Sequence, residues 1–164
     1  TNPLYPAMLE LFARKPEWLN IADDAGLAVI DVPDNILSLS AILLDADYYH
    51  ALLASRRMID DILVLDERLL IPFKAKAFVD LSERKDAGDA TAKGSDIKKH
   101  RNDVFRLLQL LPVDQPIEVT EPLKVDLRAY VDMIMQLAEF EPKDFGVPID
   151  RDTGVALISR LYKL

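Results

Sequence analysis

Apart from a short stretch near residue 117, the runs of this chain that favour an extended backbone lie in its first 65 residues, and its long helical periodicities all follow. Residues 27–32 form a short β-rich run closed by Pro33-Asp34-Asn35, residues 36–44 (ILSLSAILL) are the clearest strand, and residues 59–65 (IDDILVL) read as another. Between them, Asp45 or Asp47 could cap a short helix over residues 48–55. From Asp66 onward the period is that of helices. One runs to about Arg84 with Pro72 expected to bend its first part, and one is capped by Ser95 and stops before Pro112. Two more cover residues 123–140 and 152–163, with a mobile polar loop expected over 86–94 and a stray strand over 117–119. Strands first and helices after predict an α+β fold, with a small sheet in the N-terminal third and a helical C-terminal portion.

Composition narrows the class. A chain of 164 residues that is 50% hydrophobic can bury one respectable core, and no repeat, low-complexity tract or clear linker divides it. A net charge of −8 and a pI near 4.7 argue against a generic binder of nucleic acid or anionic membranes. Without cysteine there is no disulfide and no thiolate zinc site, and two histidines make no His-rich metal centre. No apolar run reaches the ~18 residues of a membrane span, and the opening Thr1-Asn2-Pro3 is no signal peptide. A cytoplasmic protein is expected, with no membrane partner.

Two lysines interrupt the apolar helix LIPFKAKAFVDL, residues 70–81. Lys76, Asp80 and Arg84 stand at i, i+4 and i+8, a ladder of ordinary surface pairs. Lys74 lies instead among Leu70, Ala77, Phe78 and Leu81, with no acid at i±3 or i±4. Either it snorkels to water, or a phosphate or carboxylate from elsewhere meets it. On the following helix Ile97, Val104, Leu108 and Leu111 make the buried stripe, while Lys99 and Arg106 point away. His100 and Asp103 sit side by side at the stripe's margin. They could hydrogen-bond and orient an imidazole, or form a polar seam against another helix. From Lys93 to Arg106 five Lys/Arg oppose two Asp, a local +3 on a chain of −8.

Other carboxylates are weaker candidates. Asp45-Ala46-Asp47 matches the Asp-x-Asp of metal-dependent nucleotidyl transfer, but no Gly-Ser turn precedes it and a helix follows, so capping is the better reading. Asp60 and Asp61 would point to opposite faces of a strand. Residues 5–13 suit strand or helix; as a strand they would leave Glu10 as a lone carboxylate on a half-buried face, fit to ligate a metal. No Gly-rich phosphate loop, nucleophile elbow or His-Glu-x-x-His motif is present.

Four phrases, YPAMLELFARKP (5–16), SLSAILLDADYY (38–49), LIPFKAKAFVDLSERK (70–85) and SDIKKHRNDVFRLLQLL (95–111), resemble bacterial nucleotidyltransferase-like proteins of the AbiEii/AbiGii abortive-infection toxin group. The resemblance covers about the first 110 residues. It implies a small mixed β-sheet with a Gly-Ser turn and an Asp-x-Asp strand, a third carboxylate on a later strand, and helices supplying a lysine and an aspartate. Glu10 would be that metal-facing carboxylate, Lys74 the nucleotide-phosphate lysine and Asp103 the helix aspartate, with Lys99 and His100 beside the phosphates. The Gly-Ser turn and Asp-x-Asp strand are absent, which implies that Thr1 falls after both and that residues 1–164 are a single α+β unit from the C-terminal part of such an enzyme. Mg²⁺ and a nucleoside triphosphate would be its cofactor and substrate, an RNA or protein its acceptor, and a cognate antitoxin its partner. The rival expectation is a non-catalytic α+β module that binds a nucleotide or a partner.

Overall fold

The computed structural model describes residues 11–14, 27–30, 39–44 and 46–164. The chain divides into two compact units, residues 1–53 and 54–164. In the first, β1 (Leu11–Arg14), β2 (Leu27–Ile30) and β3 (Leu39–Leu44) form a sheet of order β1-β3-β2. β1 runs parallel to β3, with Leu11 opposite Ala41, and β2 runs antiparallel to it, with Leu27 opposite Ile42. The sheet is therefore mixed and the fold α+β, as the order of elements predicts. The strand alternative holds for the end of the ambiguous first segment. Glu10 and Asp45 lie outside the described residues. Helix α1 (Ala46–Ser55) begins early enough to place Asp47 inside its first turn.

The expected single strand over 59–65 is a hairpin instead. β4 (Arg56–Ile59) pairs antiparallel with β5 (Ile62–Leu65), Ile59 opposite Ile62, around a loop of Asp60 and Asp61. Those two aspartates take φ of +47° and +60°, the left-handed region that a two-residue loop matching strand twist requires. They terminate pairing; they do not project from a strand. Aspartate reaches this region at a cost that Asn-Gly largely avoids. The double change Asp60→Asn, Asp61→Gly should therefore stabilise the 54–164 unit by roughly 0.5–1 kcal/mol in urea unfolding; destabilisation would refute this reading of the turn.

Four helices then build the core. α2 (Glu67–Asp86) is capped by Asp66, whose carboxylate accepts the Arg68 backbone N–H at 2.8 Å. Proline-containing helices lose one backbone bond; Pro72 is nevertheless inside α2 and buried. α3 (Gly94–Leu108) starts one residue before the predicted cap: Lys93 is the N-cap and Ser95 lies within the first turn. α4 (Glu121–Gln136) has Pro122 in its opening turn, where a missing N–H costs nothing. A 3-10 turn (Pro142–Phe145) leads to α5 (Arg151–Tyr162), capped by Asp150 through the Thr153 N–H at 2.7 Å.

α2 packs most extensively against α3 and next against α4, which in turn packs against α5. Ile71, Ala75 and Phe78 of α2, Val104, Phe105 and Leu108 of α3, Leu127, Tyr130 and Ile134 of α4, and Ile158, Leu161 and Tyr162 of α5 close one core. Two buried tyrosines lock distant parts of it. The Tyr162 hydroxyl donates to the Arg68 carbonyl at 2.6 Å, and that of Tyr130 to the Arg101 carbonyl at 2.9 Å. Burial pushes both phenols well above their ordinary range. The predicted stray strand near residue 117 is not one: the Ile117 N–H donates to the Leu161 carbonyl at 2.7 Å and ties that segment to α5.

Candidate phosphate-facing helices

Lys74 sits on α2, half-buried, with Leu70, Ala77, Phe78 and Leu81 one and two turns away on its own face. No hydrogen bond or ion pair to it occurs among the described residues. Lys76 behaves otherwise. Its ammonium lies 3.6 Å from both Asp80 and Asp126, so α4 completes a pairing that the sequence shows only in half. Arg84 is not the third rung of that ladder. Its Nε donates to Asp89 at 2.8 Å and its Nη2 to Thr91 at 3.0 Å, while Asp89 also accepts the Thr91 N–H and hydroxyl at 2.8 and 2.7 Å. The segment expected to be a mobile loop thus carries its own network, and the Thr91 bonds, with Arg84 behind them, hold the Asp89 carboxyl down at about 2.

On α3 the buried face differs from the predicted stripe. Val104 and Leu108 are buried as expected, but Ile97 is only half-buried, and Asn102 and Phe105 are buried beside them. The stripe is displaced because α5 approaches α3 on the Phe105 side, where Gly154 brings its backbone against the ring. Lys99 is exposed, His100 and Asp103 are half-buried at the margin, and the Asp103 carboxylate accepts from Arg106 Nη1 at 3.0 Å. Lys93 and Lys98 are exposed as well. The sequence-predicted residues Lys74, Lys99, His100 and Asp103 therefore fall on two helices packed directly together.

Sequence reasoning counted Arg101 only as one charge of five. In the structure it is the best-held cation of α3. Its Nε donates to Asn102 Oδ1 at 3.0 Å, and its guanidinium lies 4.5 Å from the centroid of the buried Phe140 ring. Burial pushes its pKa below the ordinary arginine value, with the group still charged at neutral pH. Phe140 lies 39 residues beyond Arg101, and no local pattern announces the pair.

The residues described here do not fit a divalent cation. No group of three or more His, Asp or Glu converges to hold a metal among them. Three acids of these packed helices are drawn to other cations: Asp80 and Asp126 to Lys76, and Asp103 to Arg106. No helix among the described residues is long and apolar enough to cross a membrane. Comparison with known proteins returns no matching family model, no matching curated protein and no matching solved structure.

Proposed function

We propose that the chain is part of a nucleotidyltransferase, the transfer of a nucleoside monophosphate from a triphosphate to an acceptor, and that α2 and α3 supply its phosphate-facing wall. The observation that carries this reading is Lys74. An ammonium half-buried on an apolar helix face, in a chain of net charge −8, has no acid of its own among the described residues, while Asp80 and Asp126 pair with Lys76. Alongside runs α3, whose Lys93–Arg106 stretch carries a local +3. Nucleotidyl transfer asks little covalent work of the protein and much positioning and charge neutralisation, and cations on rigid helices serve both. Lys74 would meet a phosphate oxygen, with Lys99 and His100 flanking it and Asp103 orienting the basic cluster through Arg106. The acceptor would be an RNA, a protein side chain or a small molecule, and a cognate antitoxin would be the partner. Glu10 would contribute to a Mg²⁺ site completed by carboxylates beyond the described residues.

Lys74→Ala should weaken binding of a fluorescent nucleoside triphosphate about tenfold, the worth of one charge-assisted hydrogen bond, with an unchanged circular dichroism spectrum. Unaltered affinity, or loss of the fold, would remove Lys74 from this role. The 164-residue chain alone should transfer no labelled nucleotide with Mg²⁺, whereas a longer chain bearing a Gly-Ser turn and Asp-x-Asp strand should. A non-catalytic nucleotide-binding module is the second reading, favoured by the lack of a metal-holding group among the described residues; binding without transfer by the longer chain would establish it.

A further inference from the structure

We propose that the guanidinium of Arg101 is a phosphate-binding fork, a site that deepens the reading of α3 as a phosphate-facing helix and rests on it. Arginine usually ends up against a carboxylate in an acidic chain, and here Arg57, Arg68, Arg84, Arg106, Arg128 and Arg151 all do. Arg101 meets none among the described residues, although 28 acids are available in the sequence. It is not left loose for that. Three contacts hold it: the Tyr130 hydroxyl on its carbonyl at 2.9 Å, the Asn102 amide oxygen on its Nε at 3.0 Å, and the Phe140 ring against its plane at 4.5 Å.

Each of these contacts is itself anchored. Tyr130 is fully buried, Asn102 is 4% exposed, and Phe140 is braced edge-on by Phe105 at 5.0 Å and stacked on Phe145 at 5.8 Å. A buried asparagine is costly unless its polar atoms are used, and the oxygen of this one is spent on orienting a neighbouring guanidinium. What remains of Arg101 is its two Nη groups, for which no acceptor occurs among the described residues, on a side chain that still partly reaches solvent. A planar fork fixed at its Nε edge and its face, with both Nη groups unspent, has the geometry that tetrahedral oxyanions match with two parallel hydrogen bonds. Pre-organisation removes most of the rotamer entropy such a contact normally costs. Lys98, exposed one turn earlier, adds a second positive charge.

The test is titration of the 164-residue chain with inorganic pyrophosphate and, separately, with ATP, followed by calorimetry. Arg101→Gln should weaken pyrophosphate binding tenfold or more, by about one to two charge-assisted bonds. Arg101→Lys, which keeps the charge but not the fork, should lose most of the same affinity, and it decides the question should the glutamine variant fail to fold. The same loss with ATP assigns the fork to nucleotide phosphates, and a loss with pyrophosphate alone assigns it to a free phosphate. Wild-type affinity in both arginine variants, or no pyrophosphate binding by the native chain, overturns the site. Lys74→Ala separates the two ideas. If it weakens binding and the Arg101 variants do not, only the fork falls; if the Arg101 variants weaken binding and Lys74→Ala does not, the fork stands and the role given to Lys74 falls.

Discussion

Gly154→Ala should destabilise the helical unit by about 1–3 kcal/mol, although alanine is the better helix former by about 1 kcal/mol. A methyl built on Gly154 would stand 2.2 Å from Cε1 and 2.8 Å from Cδ1 of Phe105, with Ile149 Cδ1 at 3.3 Å. The ring cannot swing away, since Phe105 has no exposed surface and Phe140 meets it edge-on at 5.0 Å. Either α5 withdraws from α3 or the ring leaves its rotamer, and both open the core that Ile158 and Leu161 share with Val104. Urea unfolding of Gly154→Ala, Phe105→Leu and the double variant measures the coupling. The double variant should recover part of the loss, because leucine frees the space the methyl needs. Additive losses, or a more stable Gly154→Ala, would show that the approach of α5 to α3 is looser than described.

Asp66→Ala should cost about 2 kcal/mol, at the upper end of cap replacements, because this buried cap is also paired with two half-exposed arginines. Asp66 is 3% exposed. It accepts the Arg68 N–H at 2.8 Å and the Arg68 guanidinium at 3.0 and 2.6 Å, and Arg57 Nε lies 3.5 Å away while its Nη2 bonds Glu67. The Arg68 side chain holds the Asp66 carboxyl below its ordinary 3.8, against the upward push of burial. A carboxyl depressed in the folded state contributes stability in full above its unfolded value. That contribution disappears as pH falls from about 3.8 through the folded value. Wild-type stability should therefore decline through that window more steeply than that of Asp66→Asn, which keeps a capping oxygen without the charge. Parallel pH profiles of the two would contradict the assignment.

The capping aspartate Asp66 was legible because a cap is a local device, a side chain accepting the N–H of a residue two positions on. The start of α3 was misread for the same reason. Ser95 has the right chemistry for a cap, but helical geometry begins at Gly94 and no side-chain cap bond forms. The hairpin was illegible in IDDILVL because two consecutive aspartates rarely announce a left-handed loop, and apolar residues on both sides imitate one strand. Both of its faces are apolar: Met58 lies opposite Leu63 and Ile59 opposite Ile62, all four more than half exposed. Alternation therefore gave no warning of the turn.

Of the candidate site, the sequence placed Lys74 without an acid three or four residues away on its helix, and the structure pairs it with none among the described residues. It also showed the charge of α3, but not which cation is held.

By itself the sequence determined the strands-before-helices order, the α+β class, the starts of the five described α-helices to within two residues, and the oddity of Lys74, since all of these follow from spacing within a turn or two of chain. Tertiary structure alone decided which polar groups are spent on one another. Asp126 of α4 reaches Lys76 of α2, Tyr130 inside α4 and Phe140 beyond its end both fix Arg101, and Tyr162 closes on Arg68 over 94 residues. Such partners are chosen by how buried faces pack, and packing depends on volumes and approach distances that no local pattern carries.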